Sequence, residues 1–168
     1  GGAVGRRWNH IALISVAVLV VGGLPSLASA SDSRAAPSND SFANAIPIHF
    51  QPADFQASTV DATTEGAWED AEDADATIWY KYTSPVDEVV KVSLCNSDFD
   101  TVVAVWTPTK THVATNDDAC GEQSLIEWDS SAGDLWYIQV GGYNGDTGTA
   151  DISISAATQP ANDDAANA

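Results

Sequence analysis

Asp98 and Asp100, in Cys95-Asn96-Ser97-Asp98-Phe99-Asp100, and Asn116, Asp117 and Asp118, in Asn116-Asp117-Asp118-Ala119-Cys120, lie close to the chain's two cysteines. Neither stretch contains a Lys or Arg. Carboxylates crowded in this way repel one another. They persist if a cation neutralises them, if some protonate, or if they splay into water and accept backbone N–H groups as Asx turns. Ca2+ suits such a cluster, because it takes several oxygen ligands from carboxylates, Asn and backbone carbonyls in flexible geometry. Zinc is less suited, since the thiols are expected to pair and His112 lies farther up the strand. A Ca2+ site at Asp98, Asp100, Asn116, Asp117 and Asp118 is therefore one expectation. Solvated turn acids capping loop amides are the other.

For these stretches to meet, the chain must reverse between them. Thr107-Pro108-Thr109-Lys110 has turn chemistry and joins two runs with strand signals, Asp100–Trp106 and Thr111–Thr115. A hairpin centred on that turn sets Asp100 opposite Asp117, Asp98 near Ala119 and Cys95 near Glu122, within two residues of Cys120. A Cys95–Cys120 disulfide is then expected in an oxidising compartment, the rival being two separate buried thiols.

The start of the chain points to such a compartment. Arg6 and Arg7 precede an apolar run from Ile11 to Val21, and Ala28-Ser29-Ala30 has the small-x-small pattern of a cleavage site. The run is too short for the roughly 20 residues of a spanning helix. The expectation is a signal peptide over 1–30 and a secreted, extracellular or periplasmic protein with no stable membrane insertion after cleavage. Residues 31–38 read as a linker, 39–156 as a domain, and 157–168 as a disordered acidic tail. The absence of Met is read as a start codon lying upstream.

The 168 residues carry 24 Asp and Glu against 6 Lys and Arg, a net charge of −18. Without residues 1–30, which hold Arg6 and Arg7 and no acid, it becomes −20. Such a surface repels phosphate backbones, so nucleic acid is not an expected partner. At 44% hydrophobic, the chain carries too much apolar material for one disordered by charge. Nothing in the sequence sets an oligomeric state.

Period-two runs recur after residue 56. Ile78–Tyr82 alternates, and Val90, Val92 and Leu94 share one face. So do Val103 with Val105, Ile126 with Trp128, Ile138 with Val140, and Ile152 with Ile154. Shorter pieces at Ala57–Asp61 and His112–Thr115 fill the gaps, and Ser41–Ala45 offers one helical turn after an Asp40 cap. About eight short strands predict an all-β antiparallel sandwich or jelly roll.

Glu65–Asp75 is a second acidic run, without the pattern of an EF-hand loop, and reads as a long, mobile, solvated loop around Trp68. Asp146-Thr147-Gly148 matches an aspartic-protease triplet, but Tyr143-Asn144-Gly145 before it reads as a hairpin turn. His49 and His112 have no nucleophile arranged around them in a known pattern, so no enzyme is expected. Trp79, Trp106, Trp128 and Trp136 lie in strands and are expected to pack. Trp68 and Tyr143 lie in loops, where an exposed ring can bind a ligand.

Five motifs in order resemble the bacterial pre-peptidase C-terminal domain: Asn39-Asp40-Ser41-Phe42-Ala43-Asn44-Ala45, Thr77-Ile78-Trp79-Tyr80-Lys81-Tyr82, Cys95-Asn96-Ser97-Asp98-Phe99-Asp100-Thr101, Asn116-Asp117-Asp118-Ala119-Cys120-Gly121, and Tyr137-Ile138-Gln139-Val140-Gly141-Gly142-Tyr143. The resemblance runs from about Asn39 to Ser155. It implies a secreted, non-catalytic jelly roll that accompanies peptidases, related to collagen-binding domains of collagenases. It also implies calcium ligands at Asn39 and Asp40. The late-strand tyrosines that collagen-binding members use are here reduced to Tyr143 after Gly141-Gly142. The expected function is an accessory module, with Ca2+ as a candidate stabilising ion, that recognises an extracellular protein or polymer. The alternatives are a carbohydrate-binding module recognising a polysaccharide and a maturation or propeptide domain.

Overall fold

The computed structural model describes residues 35–49 and 51–158. The expected signal peptide, residues 31–34 of the expected linker and residues 159–168 of the expected tail lie outside the described residues. Nine strands form two sheets among those described: β1 (Ile46–Ile48), β2 (Ala53–Ser58), β3 (Ala74–Thr83), β4 (Glu88–Ser93), β5 (Thr101–Trp106), β6 (His112–Asn116), β7 (Leu125–Ser130), β8 (Leu135–Tyr143) and β9 (Thr149–Thr158). β9 continues two residues into the segment whose composition reads as tail.

Strands β2 to β9 make one nested antiparallel ribbon, in which β2 pairs with β9, β3 with β8, β4 with β7 and β5 with β6. The ribbon rolls so that β4 also pairs with β9 and β5 with β8. The resulting orders, β2-β9-β4-β7 and β3-β8-β5-β6, are those of a jelly roll. β1 adds a ninth strand beside β3 and pairs with it in parallel, Ile46 opposite Tyr80. The eight strands of the expected antiparallel jelly roll are thus present, and β1 is an addition at its edge. Ile46-Pro47-Ile48 is short and holds a proline, which lacks a donor and fits only where one side of the strand is unpaired.

The alternating runs point inward as their period requires. Val90, Val92, Leu94, Ile126, Trp128, Ile152 and Ile154 from one sheet meet Ile78, Tyr80, Tyr82, Val103, Val105, Ile138 and Val140 from the other. β5 is buried along its whole length, so its sheet is covered on the outer side too.

The cover includes the acidic run. Glu65–Asp75, expected as a mobile solvated loop, contains a 3-10 turn at Ala67–Glu69 and closes a second apolar cluster with Phe42, Ala45, Ala71, Trp79, Ala104 and Trp106. Glu69 is fully buried there. Its Oε1 accepts from Trp79 Nε1 at 2.7 Å and Thr77 Oγ1 at 2.9 Å, and its Oε2 accepts from the Glu65 amide. Gln139 Nε2 donates to the Glu69 carbonyl at 2.8 Å, and Gln139 Oε1 accepts from Trp106 Nε1 at 2.8 Å. Aromatic residues on the outer face carry polar N–H groups that need acceptors, and Glu69 and Gln139 supply them.

The expected helical turn forms at Phe42–Asn44, but Asp40 does not cap it. Both Asp40 carboxylate oxygens accept from Thr63 instead, one from its amide and one from Oγ1.

Candidate functional site

The β5–β6 hairpin exists, with a register two residues away from the expected one. Val103 lies opposite Asn116 and Ala104 opposite Thr115, and the ladder shifts between Val105 and Trp106. The turn is longer than four residues, with Thr107 N donating to Thr111 O at 2.9 Å and Lys110 in the left-handed region at φ 60°. The longer turn and the bulge account for the displacement, and the ladder stops before Asp100 and Asp117.

The open end of the hairpin is nevertheless the acidic end. Cys95 and Cys120 form the disulfide, with Cα atoms 5.7 Å apart. The Asp100 carboxyl is held above its ordinary value, first by burial and then by Glu122, Asp118, Asp146 and Asp117. Asp117 and Asp118 were expected beside it. Glu122 and Asp146 were not; Asp146 arrives because β5 pairs with β8, Thr101 opposite Gly142, a contact that the hairpin alone does not announce.

That turn has the chemistry its sequence announces. Asn144 and Gly145 have φ 49° and 83°, and Asp146 N donates to Tyr143 O at 3.0 Å. It is locked onto the hairpin by its acids: Asp146 Oδ2 accepts from Asp100 N at 3.0 Å, and Asp98 Oδ1 accepts from Thr149 N at 2.6 Å. Two glycines permit this approach. A Cβ on Gly142 would stand 1.7 Å from the Asp146 carbonyl oxygen, and one on Gly148 would stand 2.3 Å from Asp98 Oδ1. Gly142 and Gly148 were the sequence signal for the missed proximity of Asp146.

The donor chemistry at this end suits a hard cation, but its geometry is not that of a cage. Asp98 and Asp146 each commit an oxygen to a backbone amide, and Asn116 Oδ1 accepts from Leu125 N at 3.1 Å. Among the described residues no group of three or more His, Cys, Asp or Glu is placed to hold a metal ion. The other expected ligands are also engaged. Asn39 is buried and exchanges hydrogen bonds with Trp79, from Nδ2 to Trp79 O at 3.0 Å and from Trp79 N to Asn39 O at 2.9 Å.

Of the two candidate ligand rings, Trp68 is half-buried rather than free. It lies 5.8 Å from Trp79 and 5.7 Å from both Phe42 and Trp106, and Lys110 Nζ sits over it at 3.7 Å. That burial follows from the folding of the acidic run over the sheet. Tyr143 is 36% exposed and borders the acidic end, its amide donating to Asp100 O at 3.1 Å. Among the described residues no helix is long and apolar enough to cross a membrane.

No family model matches this chain, and no curated protein matches it. Solved structures do. One is PliG of Aeromonas hydrophila, described as a periplasmic lysozyme inhibitor of g-type lysozyme, at 16% identity and TM-score 0.46, covering 67% of this chain and 96% of that one. Another is the pre-peptidase C-terminal domain of collagenase from Bacillus anthracis, at 15% identity and TM-score 0.47, covering 66% of this chain and 94% of that one.

Proposed function

We propose that this chain is a secreted, non-catalytic binding module whose acidic end recognises a basic extracellular protein or polymer. The observation that supports it most is the convergence of Glu122, Asp118, Asp146 and Asp117 on Asp100. The strand register and the disulfide bring these acids to one end of the sandwich. A cationic partner relieves their mutual repulsion, and the net charge of −18 speeds its encounter. Tyr143 supplies a partly exposed ring at the rim of the same surface.

The test is binding to a panel of basic extracellular proteins and cationic polymers at low and high salt. Replacing Asp100, Asp117 and Asp118 together by Asn should weaken binding by about tenfold or more at low salt and by much less at high salt. A module that binds no basic member, or whose binding ignores the triple substitution, does not have this function.

Ca2+ at the same carboxylates is a separate proposal, since Asp100, Asp117 and Asp118 supply the oxygen chemistry it takes. Binding would require these side chains to turn toward one another. It predicts a melting temperature that rises with added Ca2+ and falls back on chelation, and neither change in the triple Asn variant. A wild-type melting curve indifferent to Ca2+ removes it.

A further inference from the structure

The opposite end of the sandwich has a recess between the sheets, where β3 ends and β4 begins, with a volume of about 480 Å³. Tyr82 from one sheet and Glu88 from the other meet at its floor, each 4% exposed, and the Tyr82 hydroxyl donates to Glu88 Oε1 at 2.6 Å. Burial, then this carboxylate, hold the phenol well above its ordinary value, so Tyr82 remains a donor.

Two features of this recess are unfinished. His49 also lines the recess, but neither it nor any other described Lys, Arg or His pairs with Glu88; the ion pair among the described residues is Lys91–Glu127 at 3.0 Å. Gln51 lies beside the Tyr82 hydroxyl, yet neither of its amide atoms, both buried, completes a hydrogen bond. A buried carboxylate without a counter-charge and a buried amide without partners each cost free energy that a ligand can recover. The volume suits a side-chain-sized group, and Ile48, Pro52 and Pro85 give the walls an apolar lining.

We propose that this recess binds a guanidinium group carried on an aliphatic stem. Its planar fork of N–H donors can serve Glu88 and Gln51 Oε1 together, whereas a compact ammonium is more strongly hydrated and harder to strip of water. The stem lies against Ile48, Pro52 and Pro85. This site is separate from the acidic end and does not rest on it. The group has two possible sources, a free alkylguanidine and an arginine side chain of a polypeptide.

The probes are n-butylguanidinium, a capped Gly-Arg-Gly peptide and the neutral isostere n-butylurea, followed by amide and side-chain NMR shifts of the full chain. Expected are saturable shifts at Gln51, Tyr82 and Glu88 with the two cationic probes, and affinity lower by about tenfold or more for the urea. Glu88→Gln keeps an acceptor for Tyr82 and should lose binding by a similar factor. Ala156→Trp, at the rim of the recess, should block the same probes without touching that hydrogen bond and serves if the first variant does not fold. Tighter binding of the peptide assigns the site to a partner's arginine, and tighter binding of n-butylguanidinium to a small ligand. The proposal is overturned by no saturable shift up to about 50 mM probe, by equal affinity for the urea, by shifts confined to the acidic end, or by indifference to Ala156→Trp.

Discussion

Glu69→Ala is expected to lower the unfolding free energy by about 3–5 kcal/mol, which denaturant titration would measure. The substitution strands the Trp79 indole N–H, the Thr77 hydroxyl and the Glu65 amide in a site closed to water, and it leaves a cavity beside Trp79. Glu69→Gln should be milder, at about 1–2 kcal/mol, because its carbonyl oxygen still accepts from Trp79 and Thr77 while its amide faces the Glu65 N–H donor to donor. Equal stability of wild type and Glu69→Ala would show that the outer-face cover contributes nothing.

The same residue gives the protein a pH dependence. Burial raises the Glu69 carboxyl above its ordinary 4.5, against the hydrogen bonds that lower it. The folded state therefore holds the proton more tightly than the unfolded chain. Glu69 contributes stability that is fully present below about its ordinary value and is lost as pH rises through its folded value. Asp100, also raised, acts in the same direction from its ordinary 3.8. Stability should accordingly increase as pH falls from neutrality toward that range, with a shallower slope in Glu69→Gln. An identical slope in the two proteins would refute this role.

Replacing both Cys95 and Cys120 by Ser should cost about 3–4 kcal/mol, since the staple closes a loop with a sequence separation of 25 and restricts the unfolded chain. The loss should appear in the denaturation midpoint of the double variant and, for the wild type, on addition of dithiothreitol. Coincident transitions for oxidised wild type and the double Ser variant would mean that the bond constrains nothing beyond what the folded hairpin already holds. The position of the bond also matters to the site. It ties the segment before β5 to the loop after β6, the two stretches that bring Asp100 together with Asp117 and Asp118.

Much of the sandwich was legible because its signals are local. Val90-Lys91-Val92 and Ile152-Ser153-Ile154 alternate with the period of a strand, and that period decides which side chains enter the core. Asn144-Gly145 announces a tight turn through the φ values that those residues tolerate. β1 was not legible, since three residues with a central proline give no period to read. The hairpin register slipped because a bulge leaves no mark in composition.

The acids divide along the same line. Their number, their sign and their crowding near two cysteines belong to the sequence, as do the alternating strands, the turns and the pairing of Cys95 with Cys120. Which acids share a surface was decided only by the rolled ribbon, which carries Asp146 from the β8–β9 turn onto Asp100. Likewise Glu69, one of six acids in a run that reads as solvated, is the one buried to accept from Trp79. Glu88, an unexceptional acid at the start of β4, ends beside Tyr82 with no cation paired to it among the described residues. The physical reason is range. Backbone period and turn preference act between neighbours in the chain, whereas the state of a charge depends on burial and on partners that only folding brings within a few ångströms.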